Sequence, residues 1–211
     1  TLAQRFVLNL FNQKNDAGLV FHTYRQGYET VRVVNALAQA NGSTKEEWEA
    51  TVLAAWFYNV GYLLDYQNPA PKSIELAEKF FAAHHLDGER KAIILQTLRS
   101  VHSSGKINAP ESQMLSDAIQ AVQFGEGFFE NAPLLQLERE MKMGEKYEKL
   151  PWLEYLHERL MRVRFFTAHG KVQFEPQVSA HLITLRQRIE KQKRREGPAI
   201  DTDKRFGNLA P

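Results

Sequence analysis

The chain has 211 residues, a formal net charge of +2 and no cysteine. That length holds one domain with a substantial core, and the missing thiols exclude disulfides, thiolate catalysis and cysteine-based zinc sites. Apolar residues make up 43% and charged residues 25%, an ordinary balance for a soluble globular protein, and the near-neutral total gives no argument for a nucleic-acid partner.

No apolar run reaches the roughly 20 residues that cross a bilayer, so no transmembrane segment is expected. No charged-then-apolar leader opens the chain, and a cytoplasmic setting is expected. Position 1 is Thr rather than Met, the pattern expected of a trimmed chain or of part of a longer protein.

Helical periodicity dominates from the start. Leu2, Phe6, Val7, Leu10 and Phe11 share one apolar face, and residues 13–22 read as a loop. Tyr24 to Asn41 is predicted helical, with Asn41-Gly42 as its stop. Ser43 to Glu47 reads as a capping box, with Glu46 or Glu47 three residues beyond the cap. The helix it opens runs through Trp48, Val52, Ala55 and Trp56 to about Tyr58 and breaks at Gly61. Pro71 fits the first turn of the next helix, Ser73 to His84 or His85. Asp87-Gly88 marks a turn, and Glu89 to His102 is helical. Residues 103–112 form a loop, and Pro110 starts a helix to about Val122. Residues 124–133, "FGEGFFENAP", read as irregular. Leu134 to Met143 and Trp152 to Phe166 are helical, residues 167–176 turn the chain, and Val178 to about Arg195 closes the fold.

No segment alternates as a strand set would, and no internal repeat is present. The expectation is an all-α protein: a single bundle of about eight or nine helices over residues 1–195. An aperiodic polar tail at 196–211 is expected to be flexible. Arg186 to Arg195 crowds basic residues around a single acid. A solvated helix end, where the dipole favours cations, is one account. Contact with an anionic membrane surface or nucleic acid is the other.

Standard catalytic motifs are missing. Gly125-Glu126-Gly127 lacks the strand and the partner residues of a phosphate loop, and there is no G-x-S-x-G elbow or H-E-x-x-H pair. The seven histidines are scattered, and His84-His85 are adjacent, so they leave a helix in different directions.

Five stretches nevertheless stand out together. They are "FHTYRQGYETV" (21–31), "AAWFYNVGY" (54–62), "YQNPAPKSIELAEKFF" (66–81), "LSDAI" (115–119) and "RFFTAHGK" (164–171). In order and spacing they resemble the motifs of HD-domain phosphohydrolases, over about residues 5–190. The resemblance implies an all-helical fold around a metal such as Mn, Fe, Zn or Mg. In that family the metal is held by a His of the first motif, a His-Asp pair, and the first Asp of a third motif. The matching positions here are Gln26, Tyr58, Asn59 and Asp117, so only Asp117 keeps a metal-binding side chain. A third turn that reads Asn-His-Glu in the family is Asn68-Pro69-Ala70, with its serine retained as Ser73.

Neutral amides and a protonated phenol cannot offset the dehydration of a divalent ion. Without the ion there is no acidified water and no Lewis acid. The resemblance therefore implies a catalytically inactive, bacterial-type HD-like domain with no catalytic residue, no metal and no other cofactor. Tyr58 is expected to fill the old site, Asn59 to bond Asp117 or Gln26, and Asp117 to pair with an Arg, a Lys or the Asn59 amide. His22 is expected to cap or hydrogen-bond the first helix. A binding or regulatory role is the leading reading, with a nucleotide or other phosphate ligand near His22, Arg25, Pro69, Lys72 and Ser73, and with Arg32 close by. Two alternatives stand beside it: a metal-dependent phosphohydrolase with ligands recruited elsewhere, such as His102, and a helical scaffold or homo-oligomerisation unit without a ligand.

Overall fold

Capping residues set the first three helices. Thr1 accepts the Gln4 amide at 3.2 Å and opens α1 (Leu2–Lys14). Thr23 caps α2 (Tyr24–Asn41), whose end falls at Gly42, at φ 66°, where a side chain would be strained. Thr44 and Glu47 form the reciprocal capping box of α3 (Lys45–Phe57). The computed structural model describes residues 1–86, 88–103 and 107–197. Among these the chain is all-helical, with nine α-helices and one short 3₁₀ turn at Val60–Leu63.

The remaining helices are α4 (Pro69–Ala83), α5 (Gly88–His102), α6 (Pro110–Phe124), α7 (Phe128–Met143), α8 (Lys149–Met161) and α9 (Ala168–Glu196). Helix α4 begins four residues before the expected Ser73, because Pro69 takes the first turn, where no backbone N–H is required. Helix α8 ends at Met161 rather than Phe166. Two expected breaks are also corrected. Most of the stretch read as irregular before Leu134 belongs to α7, which runs through Pro133. Residues 168–176, read as a turn, are the opening of α9, which continues through Pro176. Each proline forfeits one helical hydrogen bond, and both lie on exposed faces, where water reaches the carbonyl left free.

The apolar side chains gather into two packed clusters. The first joins α1 to α6 around Val34, Leu37, Phe57, Phe81, Ile94 and Leu98. The second joins α7, α8 and α9 around Phe128, Leu135, Leu156, Leu160 and Leu185. Helix α6 serves both: Leu115 and Ala118 belong to the first, Ala121 and Phe124 to the second. Phe21, in the segment before α2, packs into the second cluster, so the neighbouring His22 lies between the two.

Helix α9 ends at Glu196, next to the expected boundary at 195. Most of the expected tail, residues 198–211, lies outside the described residues, as do Asp87 of the expected turn and residues 104–106 of the expected loop. The basic stretch forms the last turns of α9. No described helix is long and apolar enough to cross a membrane.

Candidate functional site

The positions matching the metal motifs are all buried, and two of them, Gln26 and Asn59, are bonded to each other. Gln26 on α2 and Asn59 after α3 are 7% and 1% exposed. The Asn59 amide donates to Gln26 Oε1 at 3.3 Å and to the Thr23 carbonyl at 3.1 Å. The Thr30 hydroxyl donates to the Tyr58 hydroxyl at 3.3 Å. Burial pushes the Tyr58 phenol far up, with the Thr30 bond acting against it, so Tyr58 stays protonated.

Asp117 stands apart from these three. Its Oδ1 accepts the Phe166 amide at 2.8 Å, and its Oδ2 accepts the Thr167 amide at 2.9 Å and the Thr167 hydroxyl at 2.7 Å. In place of an expected Arg, Lys or Asn59 hydrogen bond, Asp117 is bonded by Phe166 and by Thr167, the residue that caps α9, while Lys171 acts on it only through its charge. Burial raises the Asp117 carboxyl, and these three donors oppose the rise. Gly170 fits because any β-carbon there would overlap Asp117 Oδ2.

These residues do not fit the metal of the resembled family. Gln26 Oε1 accepts the Asn59 amide N–H, Asn59 Oδ1 is a neutral oxygen buried without a partner, Tyr58 is protonated, and the one carboxylate already accepts three hydrogen bonds, so no charged ligand is left for an ion. Among the described residues no three His, Asp or Glu side chains converge as a metal site. His102, at the end of α5, lies against the Tyr58 backbone, and burial lowers its basicity.

The expected ligand pocket is only partly assembled. Ser73 is fully buried, accepts the Gly61 amide at 3.0 Å and donates to the Tyr58 carbonyl at 3.1 Å, so it holds a turn rather than a guest. Lys72 pairs with Glu75 at 3.0 Å, Arg32 pairs with Glu29 at 2.9 Å, and Arg25 is exposed on α2. Of the five residues singled out, the structure brings His22 and Pro69 together.

These two line a cavity of about 510 Å³, joined there by Tyr62, Tyr66, Tyr155, Arg139 and Arg159. His22 does not cap the first helix. Its Nδ1 is bonded to Glu138 Oε1 on α7, and Glu138 Oε2 accepts the backbone amides of Phe21 at 2.7 Å and His22 at 2.9 Å. Tyr62 stacks on the imidazole with ring centres 3.6 Å apart. With Nδ1 held, Nε2 is the ring nitrogen left for the cavity.

The charges follow from these contacts. Burial lowers His22, and the Glu138 carboxylate opposes that drop without reversing it. Burial acts to raise Glu138, but the His22 bond and the two amides outweigh it and bring the carboxyl down. The pair therefore rests as a neutral imidazole donating Nδ1–H to an ionised carboxylate. Burial pushes Tyr62 and Tyr66 up, and the Glu138 carboxylate that Tyr66 bonds raises it further, so both remain protonated phenols.

The two arginines differ. Arg139 is engaged by Glu145 at 2.8 Å and by the Tyr147 hydroxyl at 2.6 Å. Arg159 donates to the Gln123 side-chain oxygen at 3.1 Å and lies over the Phe124 ring at 5.1 Å. No carboxylate stands within ion-pair distance of Arg159 among the described residues. The wall thus presents an unpaired cation, an open imidazole nitrogen and the Tyr62 phenol.

Sequence reasoning missed Glu138, Arg139, Tyr155 and Arg159, and passed over Tyr62 and Tyr66. One signal was present. The buried residues of α7 are Phe128, Ala132, Leu135 and Glu138, so Glu138 takes the next place on an apolar stripe. An acid there demands a buried partner. No family model, curated protein or solved structure matches the chain.

Proposed function

We propose that the protein is an HD-like helical domain that no longer carries the family's metal chemistry and serves as a binding or regulatory module for a nucleotide or another phosphate ester. The cavity beside His22 is the binding site. The HD-like assignment is supported by the five motif stretches and by a helical fold that brings Gln26, Tyr58 and Asn59 together. The binding role is carried by one observation: Arg159 lines the cavity with no carboxylate partner, beside an imidazole whose Nε2 is open. A guanidinium that is half-buried and unpaired gains most from an anion that brings several acceptor oxygens. The tyrosines suit a flat or sugar-bearing remainder of the ligand. At about 510 Å³ the space lies in the range of small-molecule sites.

Thermal unfolding in the presence of nucleotides and simple phosphate esters tests this reading. A ligand at 100 times its dissociation constant should add about 2.7 kcal/mol of stability. Arg159→Gln should keep the fold and lose the ligand-induced shift. The reading fails if no phosphate compound shifts the transition, or if Arg159→Gln responds as the wild type does.

A further inference from the structure

We propose that the ligand is a phosphate monoester bound as its dianion, and that His22 Nε2 takes up a proton from solvent as the ligand enters. This rests on the proposed function and deepens it by naming the ligand class and the residue that selects it.

The argument is one of charge placement. The groups facing His22 come from four segments. Helix α7 brings Glu138 and Arg139, the 3₁₀ turn brings Tyr62, the segment after it brings Tyr66, and α8 brings Tyr155 and Arg159. The Glu138 carboxylate is met by two backbone amides and the Nδ1–H of His22, and Arg139 is matched by Glu145. Arg159 is the cation of the wall left without a carboxylate among the described residues.

A monoester dianion adds two negative charges, and Arg159 alone does not offset them. The phenols cannot help by ionising, since that would add negative charge, and burial already disfavours it for Tyr62 and Tyr66. His22 is the one described group in the wall that can gain positive charge. Its Nδ1 is pinned to Glu138, so the new proton goes to Nε2, on the side of the cavity. The resulting imidazolium lies between the Glu138 carboxylate and the phosphate, and both favour it. A phosphodiester carries one charge, which Arg159 meets without a proton. The same wall therefore prefers the monoester.

Titration calorimetry of the full chain at near-neutral pH decides the matter, run in two phosphate-free buffers of small and large ionisation heat. The probes are AMP and glucose 6-phosphate as monoesters with and without a base, and 3′,5′-cyclic AMP as a diester. At least one monoester should bind with uptake of up to about one proton. The diester should bind more weakly, with no uptake. His22→Asn should weaken monoester binding about tenfold, the factor one charge-assisted hydrogen bond carries, and should abolish the uptake. Should that variant fail to fold, the ¹⁵N signals of His22 in the wild type give the answer. Saturation with monoester should convert the neutral Nδ1–H tautomer to imidazolium.

Monoester binding without proton uptake, an equal response to the diester, or uptake that survives His22→Asn overturns this inference and leaves the phosphate-binding reading standing. If none of the three probes binds, both fall together.

Discussion

Glu138 and His22, 116 positions apart, meet in a buried hydrogen bond, and the same carboxylate receives the backbone amides of Phe21 and His22. Removing it strands three donors where water does not reach. Glu138→Ala should lower stability by about 3 kcal/mol or more, since each stranded neutral donor costs about 1–3 kcal/mol. Glu138→Gln keeps an acceptor oxygen and should cost less. Urea unfolding measures both, and a loss under about 1 kcal/mol for the alanine variant would contradict the account.

The same pair sets the response to acid. Burial holds His22 below its ordinary 6.5, so the unfolded chain takes a proton that the folded chain refuses, and stability falls as pH drops below 6.5. Glu138 is held below its ordinary 4.5, so its contribution is present above 4.5 and is lost as pH falls through the folded value. Asp117 runs the other way, because burial raises it, and it offsets part of the second fall. Melting temperatures across about pH 8 to 2 should show two downward steps, the first missing in His22→Asn. A wild-type profile level through the first step would refute the assignment.

Asp117 joins α6 to the start of α9 rather than holding a ligand. Asp117→Asn keeps its shape but turns an N–H₂ toward the donors of Phe166 or Thr167. The expected loss is about 1–3 kcal/mol, read by thermal or urea unfolding. Phosphate-ester binding by the folded variant should match the wild type, since Asp117 does not line the cavity. Loss of binding without loss of stability would return Asp117 to the site.

Gly61 sits where the first turn of α4 crosses the 3₁₀ turn. A β-carbon there would overlap the Pro69 carbonyl oxygen and lie 2.7 Å from the Ser73 amide. These are backbone atoms and cannot swing aside. Gly61→Ala should therefore displace α4, break the Ser73 bridge to Gly61 and Tyr58, and cost about 3 kcal/mol or more. A melting temperature within a few degrees of wild type would show that the two segments separate freely.

The helices were legible where local chemistry decides. Gly42 fixed the end of α2 to the residue, and the Ser43–Glu47 box placed the start of α3 to within one residue, because both act within a single turn. Pro133 and Pro176 misled because their local cost, about 3 kcal/mol each, is outweighed by packing that only the folded chain supplies. Helix α9 carries Gly170 against Asp117 before Pro176, and Val178, Leu185 and Ile189 into the second cluster after it.

Legibility in the site follows the same rule. His22 and Pro69 could be named from motifs, whereas Arg139 and Arg159 reach them from helices far along the chain, more than a hundred residues beyond His22. Lys72 and Arg32 looked available in sequence but are taken by Glu75 and Glu29, three residues away on their own helices.

One carboxylate gripping two successive amides and a ring leaves the segment before α2 unable to shift without α7. The Tyr62 ring, stacked flat on that imidazole, is held with them. Much of the ordering entropy of this wall is thus spent when the chain folds, before a guest arrives. Entry should then be set by desolvation and diffusion rather than by a closing motion, with association rates at the fast end for a rigid receptor.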